Sequence, residues 1–144
     1  MERGIFMKNG KLQIGIIGCG GIANQKHLPS LPKFGDLAEL VAFCDIMPEK
    51  AEKAAKGHGT PNAKTYTDYK QLLNDGAIDV VHILTPNVTH ATITVDVFAA
   101  GKHVMCEKPM VPTTADAQKM IDAARKSGKK FTIGYQNRVR NDVQ

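Results

Sequence analysis

Along this chain, short apolar runs with the continuity of buried strands alternate with segments whose apolar residues recur at helical spacing. Residues 12–17 (Leu-Gln-Ile-Gly-Ile-Ile) are almost uninterruptedly apolar, the pattern of a parallel strand covered on both faces. A glycine cluster follows, and residues 22–34 are predicted helical, with Pro29 and Pro32 expected to break or kink that helix. Residues 39–45 read as the second strand. Residues 48–55 read as a helix with Pro48 at its first position and Gly57 at its end. A short extended piece at 65–67 precedes a short helix through Leu73, capped by Thr67 or Asp68. Residues 78–85 form a strong central strand and 103–107 another. Thr113-x-x-Asp116 has the form of a capping box. Behind it Ala117, Met120, Ile121 and Ala124 share one helical face, Gly128 ends the helix, and 131–135 form the last strand.

Residues 91–97 (Ala-Thr-Ile-Thr-Val-Asp-Val) set local propensity against topology. Their period of two and their β-branched residues favour a strand. They lie, however, between two strands expected to be parallel, which need a crossover that is usually helical. Ala91, Val95, Phe98 and Ala99 also give one helical face, so a helix is expected. Strands alternating with helices imply an α/β fold, a doubly wound parallel sheet of Rossmann type. A single domain is expected over residues 12–138, after a flexible leader at 1–11, with residues 139–144 expected to be the truncated start of a missing C-terminal domain. There are no internal repeats.

The chemistry-bearing residues follow the predicted strands. Gly18-Cys19-Gly20-Gly21-Ile22-Ala23 is G-x-G-x-x-A, placed after a strand and at the start of a helix, the context that gives this motif its meaning. Gly18 would permit the tight turn. Gly20 would let backbone approach a pyrophosphate, and Ala23 would let helix and strand pack closely. The helix N-terminus would offer amides and positive dipole to phosphate. Asp45 ends the second strand, 25 residues after Gly20. A carboxylate there accepts from both ribose hydroxyls and repels a 2′-phosphate, which favours NAD over NADP. Lys50, close in sequence, keeps NADP in play, and Asp45 could instead simply begin the turn before Pro48. His82, mid-strand, reads as a hydrogen-bonded core histidine.

Composition narrows the remaining classes. Apolar residues are 42% and charged residues 23%, a globular balance. No apolar run approaches the roughly 20 residues of a membrane span, and the N-terminus lacks the apolar stretch of a secretory signal. The net charge of +5 is spread over predicted helix surfaces (Lys50, Lys53, Lys56) and one helix end (Arg125, Lys126, Lys129, Lys130). No aromatic residues are interleaved with them, so nucleic acid is not an expected partner and no membrane partner is expected. Cys19, Cys44 and Cys106 are odd in number and form no C-x-x-C, which argues for a reducing, cytoplasmic setting and against a metal site. A methyltransferase of related fold fits less well, because a methyl donor carries no pyrophosphate for the glycine turn.

Two further stretches, Thr85-Pro86-Asn87-Val88-Thr89-His90 and the run from Ala100 to Pro109 with Glu107-Lys108-Pro109, are far more specific. With the glycine motif they resemble the Gfo/Idh/MocA oxidoreductases, over residues 12 to about 138. The resemblance implies hydride transfer between a nicotinamide cofactor and a sugar, polyol or related substrate. It implies that Thr85, Pro86 and Asn87 line the cofactor, with His90 beside them at the next helix start. Glu107 is implied to contact the nicotinamide ribose and Gln136 to stand at the rim of that pocket. Lys108 is implied to point at the reacting carbon as the catalytic group, and the resemblance allows a cis Lys108–Pro109 bond. Gly18, Cys19, Gly20, Gly21, Ile22 and Asp45 complete the implied cofactor set.

Each of these positions also has a plainer structural reading. Asn87 or Thr89 could cap a helix, His90 could satisfy backbone groups, and Glu107 and Lys108 could be an exposed ion pair. Members of the family carry a second α/β domain that supplies substrate contacts and assembles homo-oligomers. The chain is therefore expected to be the cofactor-binding half of such an enzyme, weakly active or inactive alone. A dinucleotide sensor on the same fold is the alternative, and Lys108 within E-K-P favours the enzyme.

Overall fold

The computed structural model describes residues 8–139. Residues 1–7 of the expected leader and most of the 139–144 segment lie outside the described residues. The last four leader residues are not an unstructured lead-in. Lys8 and Lys11 bridge antiparallel across Asn9 (φ 56°) and Gly10 (φ 76°), the pair of positive φ angles that an Asn-Gly turn supplies at low cost.

Six parallel strands form one sheet: β1 (Leu12–Ile17), β2 (Ala38–Cys44), β3 (Lys64–Tyr66), β4 (Val80–Ile83), β5 (His103–Cys106) and β6 (Phe131–Ile133). Their order is β3-β2-β1-β4-β5-β6, so the direction of winding reverses between β1 and β4. Helices cover both faces and divide the core in two. Ile14, Ile16, Leu40 and Phe43 pack with Ala23 and Leu28 and with Ala51 and Ala54 of α2 (Pro48–His58). Ile17, Val81, Ile83, Val104 and Cys106 pack with Ile93, Val97 and Phe98 of α4 (His90–Ala99) and Met120 of α5 (Thr114–Ser127). Burial on both faces is what the continuous apolar runs encode. The pairing of β1 with β2 slips once: Ile14 faces Leu40 but Gly15 faces Ala42. The unpaired Val41 breaks the alternation, so Val41 and Ala42 both join the α4–α5 core.

The helix after the glycine turn is not broken by its prolines. It runs as a π turn (Ala23–His27), an α turn, α1 (Leu28–Ser30), and a 3-10 turn (Leu31–Phe34). Pro29 and Pro32 each fall at the first or second position of a new segment. A proline has no N–H to give, and the change of pitch absorbs its ring without ending the helical path. Helix α2 runs to His58 and is capped at Gly59, two residues beyond the expected stop at Gly57. Asp68 is the cap of α3 (Tyr69–Leu73), accepting from the Lys70 amide at 2.9 Å. Thr113 caps α5 and Gly128 (φ 65°) ends it in the left-handed conformation.

Residues 91–97 are helical, as topology requires, but the buried face is not the expected one. Ala91, Ile93, Thr94, Val97 and Phe98 are buried, while Ala99 is exposed. So much of the helix surface is apolar and covered that packing overrides the β-branched preference.

Candidate functional site: two clefts beside the glycine turn

The carboxyl ends of β1, β2, β4 and β5 gather the predicted residues. Gly18 has φ 95°, and a Cβ there would stand 2.8 Å from the Leu84 carbonyl carbon and oxygen and 3.0 Å from the Thr85 nitrogen. Its amide donates to Cys44 O at 2.8 Å. The first glycine is thus wedged between the ends of β2 and β4, where no side chain fits. Gly20 is the opposite case: a Cβ there would meet nothing within 4 Å. Its bare backbone faces open space.

Asp45 takes part in building this turn. Its Oδ2 accepts from the Cys19 amide at 2.8 Å and its Oδ1 from the Met47 amide at 3.0 Å. A carboxylate has about four acceptor positions, so both oxygens keep capacity for a ligand in the cleft that Asp45 lines. The Asn24 side chain donates to Cys19 O at 2.8 Å and to Gly20 O at 2.7 Å. Those bonds hold the turn's carbonyls toward the helix. Sequence reasoning missed Asn24; an amide four residues after the second glycine was the available signal. Cys19 is buried, and burial foremost, with the nearby Asp45 charge, pushes its thiol up to about 12. It is a neutral packing group that contributes its amide.

A cleft of about 670 Å³ opens on one side of the turn. Gly18, Gly20, Asp45, Thr85 and Pro86 line it with Ile46, Met47, Lys50 and Tyr69. The Tyr69 O–H donates to Asp96 Oδ2 at 2.7 Å, so its hydroxyl is already engaged. Thr89 holds the Thr85–Pro86 turn, its hydroxyl 2.7 Å from both Thr85 Oγ1 and Pro86 O. Asn87 starts a 3-10 turn (Asn87–Thr89) and lines neither cleft.

On the other side of the turn a second cleft of about 600 Å³ is lined by Ile22, His27, Glu107, Lys108 and Gln136 together with Phe34, Gly134 and Tyr135. Gly21, exposed at the helix start, lines neither. The Lys108–Pro109 bond is cis, and Lys108 is exposed to the cleft. Glu107 is not the exposed ion-pair partner of its neighbour. It is buried, with Oε1 2.7 Å from His27 Nε2 and Oε2 accepting from the Lys108 amide at 2.9 Å.

His90, at the start of α4, is fully buried. Its Nε2 lies 2.9 Å from Thr85 O, and its Nδ1 lies 3.0 Å from Pro109 O and 3.1 Å from Met110 O. It staples the turn after β4 to the turn after β5, so the plainer structural reading describes its contacts. His82 departs from expectation in another way. It is buried, but its Nδ1 has no hydrogen-bond partner. Burial pulls its pKa down to about 4, with a smaller push from His27, whose ring meets it edge-on at 6.1 Å between centroids. Among the described residues no three His, Cys, Asp or Glu side chains could hold a metal ion, and no helix is long and apolar enough to cross a membrane.

Open α/β sheets bind ligands at the carboxyl ends of their strands, where the winding reverses. Both clefts open there, around a glycine turn that leads into a helix. The fold and the turn together define a Rossmann-type dinucleotide-binding domain. The chain belongs to the Gfo/Idh/MocA oxidoreductase family: the family's NAD-binding Rossmann fold matches residues 12–135. Inositol 2-dehydrogenase of Salmonella typhimurium is 40% identical over 128 residues, spanning 88% of this chain and 38% of that protein. D-glucoside 3-dehydrogenase of Escherichia coli is 37% identical over 138 residues, spanning 96% of this chain and 38% of its own length. Among solved structures, the WlbA dehydrogenase of Bordetella pertussis, in complex with NADH and UDP-GlcNAcA, superposes with a TM-score of 0.85 at 31% identity, covering 93% of this chain and 40% of that one. The 3-ketoreductase KijD10 of Actinomadura kijaniata, in complex with NADP and TDP-benzene, gives 0.82 at 26% identity over 90% of this chain and 39% of that one. The chain therefore spans about two-fifths of the length of the proteins it matches.

Proposed function

We propose that this chain is the cofactor-binding part of an NAD(H)-dependent dehydrogenase acting on a sugar or polyol. The observation that carries the reading is the pair of clefts flanking the glycine motif, one lined by Gly18 and Gly20 and the other by Ile22, with the second glycine facing open space. A dinucleotide has two halves linked by a pyrophosphate, and bare amides at a helix N-terminus suit that link. The adenosine half fits the cleft with Asp45 and the apolar Ile46 and Met47. The nicotinamide half fits the cleft with Lys108 and Gln136.

When bound, the cofactor supplies a hydride acceptor or donor at its nicotinamide ring. The chain's own residues position and manage the proton. Gly18 fixes the turn, and Asp45 grips a ribose through oxygens already ordered by the Cys19 and Met47 amides. Lys108 orients a substrate hydroxyl and takes part in moving its proton. The Asp45 carboxylate supports NAD over NADP, because a 2′-phosphate beside it would meet like charge. Lys50 lines the same cleft and is the one cation there among the described residues. Titrating the chain with NADH and with NADPH, followed by nicotinamide fluorescence, tests this. NADH should bind at least tenfold more tightly, and Asp45→Ala should remove the preference. Equal affinities in the native chain would reject the assignment of Asp45.

A further inference from the structure

We infer that His27 is a positioning residue for Lys108, acting through Glu107; the inference rests on the cofactor reading above and deepens it at the second cleft. His27 belongs to the π turn that follows the glycine motif. That places its ring beside the end of β5, where its Nε2 is 2.7 Å from Glu107 Oε1. The other carboxylate oxygen accepts from the Lys108 amide at 2.9 Å. Glu107's own amide donates to Ile83 O at 2.9 Å, which anchors the residue to β4. A third side is closed by backbone: a Cβ on Gly134 would lie 3.2 Å from Glu107 Oε1. Both side chains of the His27–Glu107 pair are largely buried, at 13% and 11% exposure. The carboxylate is thus clamped, and the Glu107–Lys108 peptide unit is clamped with it.

Lys108 itself is exposed in the cleft and has a long, flexible stem, so its direction depends on its backbone. A lysine that must meet a substrate hydroxyl within hydrogen-bond reach gains from a fixed point of departure. His27 provides the only partner to Glu107 Oε1 that comes from another element among the described residues. His82 meets the His27 ring edge-on and is held neutral by burial, so it places no charge against the pair.

The test uses three versions of the chain: native, His27→Leu and His27→Gln. Gln carries an N–H close to the place of Nε2, and Leu fills the volume without a donor. Exchange of the Lys108 amide proton, read by NMR, should be about tenfold faster or more in His27→Leu, the order expected when a charge-assisted bond is loosened. NADH affinity should fall at least threefold, while affinity for ADP, which reaches only the adenosine cleft, should stay within twofold of native. His27→Gln should restore both readouts to within threefold of native. Should His27→Leu fail to fold, His27→Asn, polar but too short to reach Oε1, should show the same loss. Unchanged Lys108 exchange in the Leu or Asn variant, or a Gln variant as impaired as they are, overturns the inference. A native chain that binds neither nucleotide overturns the cofactor reading instead, while the exchange rates still decide the role of His27.

Discussion

Alanine at Gly18 and alanine at Gly20 each add one methyl group to the same turn, yet they should damage different properties. At Gly18 the methyl must occupy a φ of 95° and a space 2.8 Å from the Leu84 carbonyl. The left-handed backbone costs an L residue roughly 1–2 kcal/mol. Displacing the end of β4 adds overpacking of about 1–3 kcal/mol, because the neighbour is backbone and cannot rotate away. The sum is about 3 kcal/mol, which for a domain of this size lowers Tm by roughly 10 °C. At Gly20 there is no atom within 4 Å to collide with and no positive φ to violate. Stability should therefore stay within about 0.5 kcal/mol of native or rise slightly. The methyl would instead project where a pyrophosphate has to approach, so NADH affinity should fall at least tenfold. Thermal unfolding by circular dichroism and NADH titration, run on both variants, separate the two effects. A Gly18→Ala protein as stable as native, or a Gly20→Ala protein that binds NADH normally, would refute the reasoning.

Three other outcomes follow from the same geometry. Asp45→Asn keeps an acceptor for the Cys19 amide but removes the charge, so the turn should persist while the ratio of NADH to NADPH affinity falls about tenfold in fluorescence titration. His90→Ala leaves the Thr85 and Pro109 carbonyls without their imidazole partner and should cost about 3 kcal/mol in urea unfolding. His82 titrates at about 4 in the folded chain against 6.5 for a free side chain, so between those values the unfolded chain binds the extra proton. Stability should fall as pH drops from about 6.5 to about 4, by at most about 3 kcal/mol. His82→Leu should flatten that part of the pH profile.

The order of strands and helices was legible because the central strands β1, β2, β4 and β5 are largely buried and each crossover must be helical. Residues 91–97 are the sharpest case: connectivity outweighed their period of two. The glycine turn was legible because its motif sits between a strand and a helix. What escaped the sequence are contacts between distant segments. Nothing local marks Val41 as unpaired, since the slip arises only when β1 lies beside it. His27 and Glu107 are 80 residues apart, and the E-K-P motif draws attention to charges facing a ligand rather than to one folded inward. His90 stands in a motif for which the family resemblance implies cofactor contacts, yet its place at the first turn of α4 points it at the carbonyls of Thr85, Pro109 and Met110. Pro29 and Pro32 signal a break wherever only one helical pitch is considered.

One dinucleotide should span both clefts across the glycine turn. Mapping backbone amide shifts of the native chain by NMR during an NADH titration tests it most directly. Saturation should move the amides of Gly18, Gly20, Gly21, Asp45 and Thr85 on one side and Lys108 on the other. Saturating NADH that leaves Gly18 to Gly21 unmoved, or that shifts only residues away from the strand ends, would contradict it.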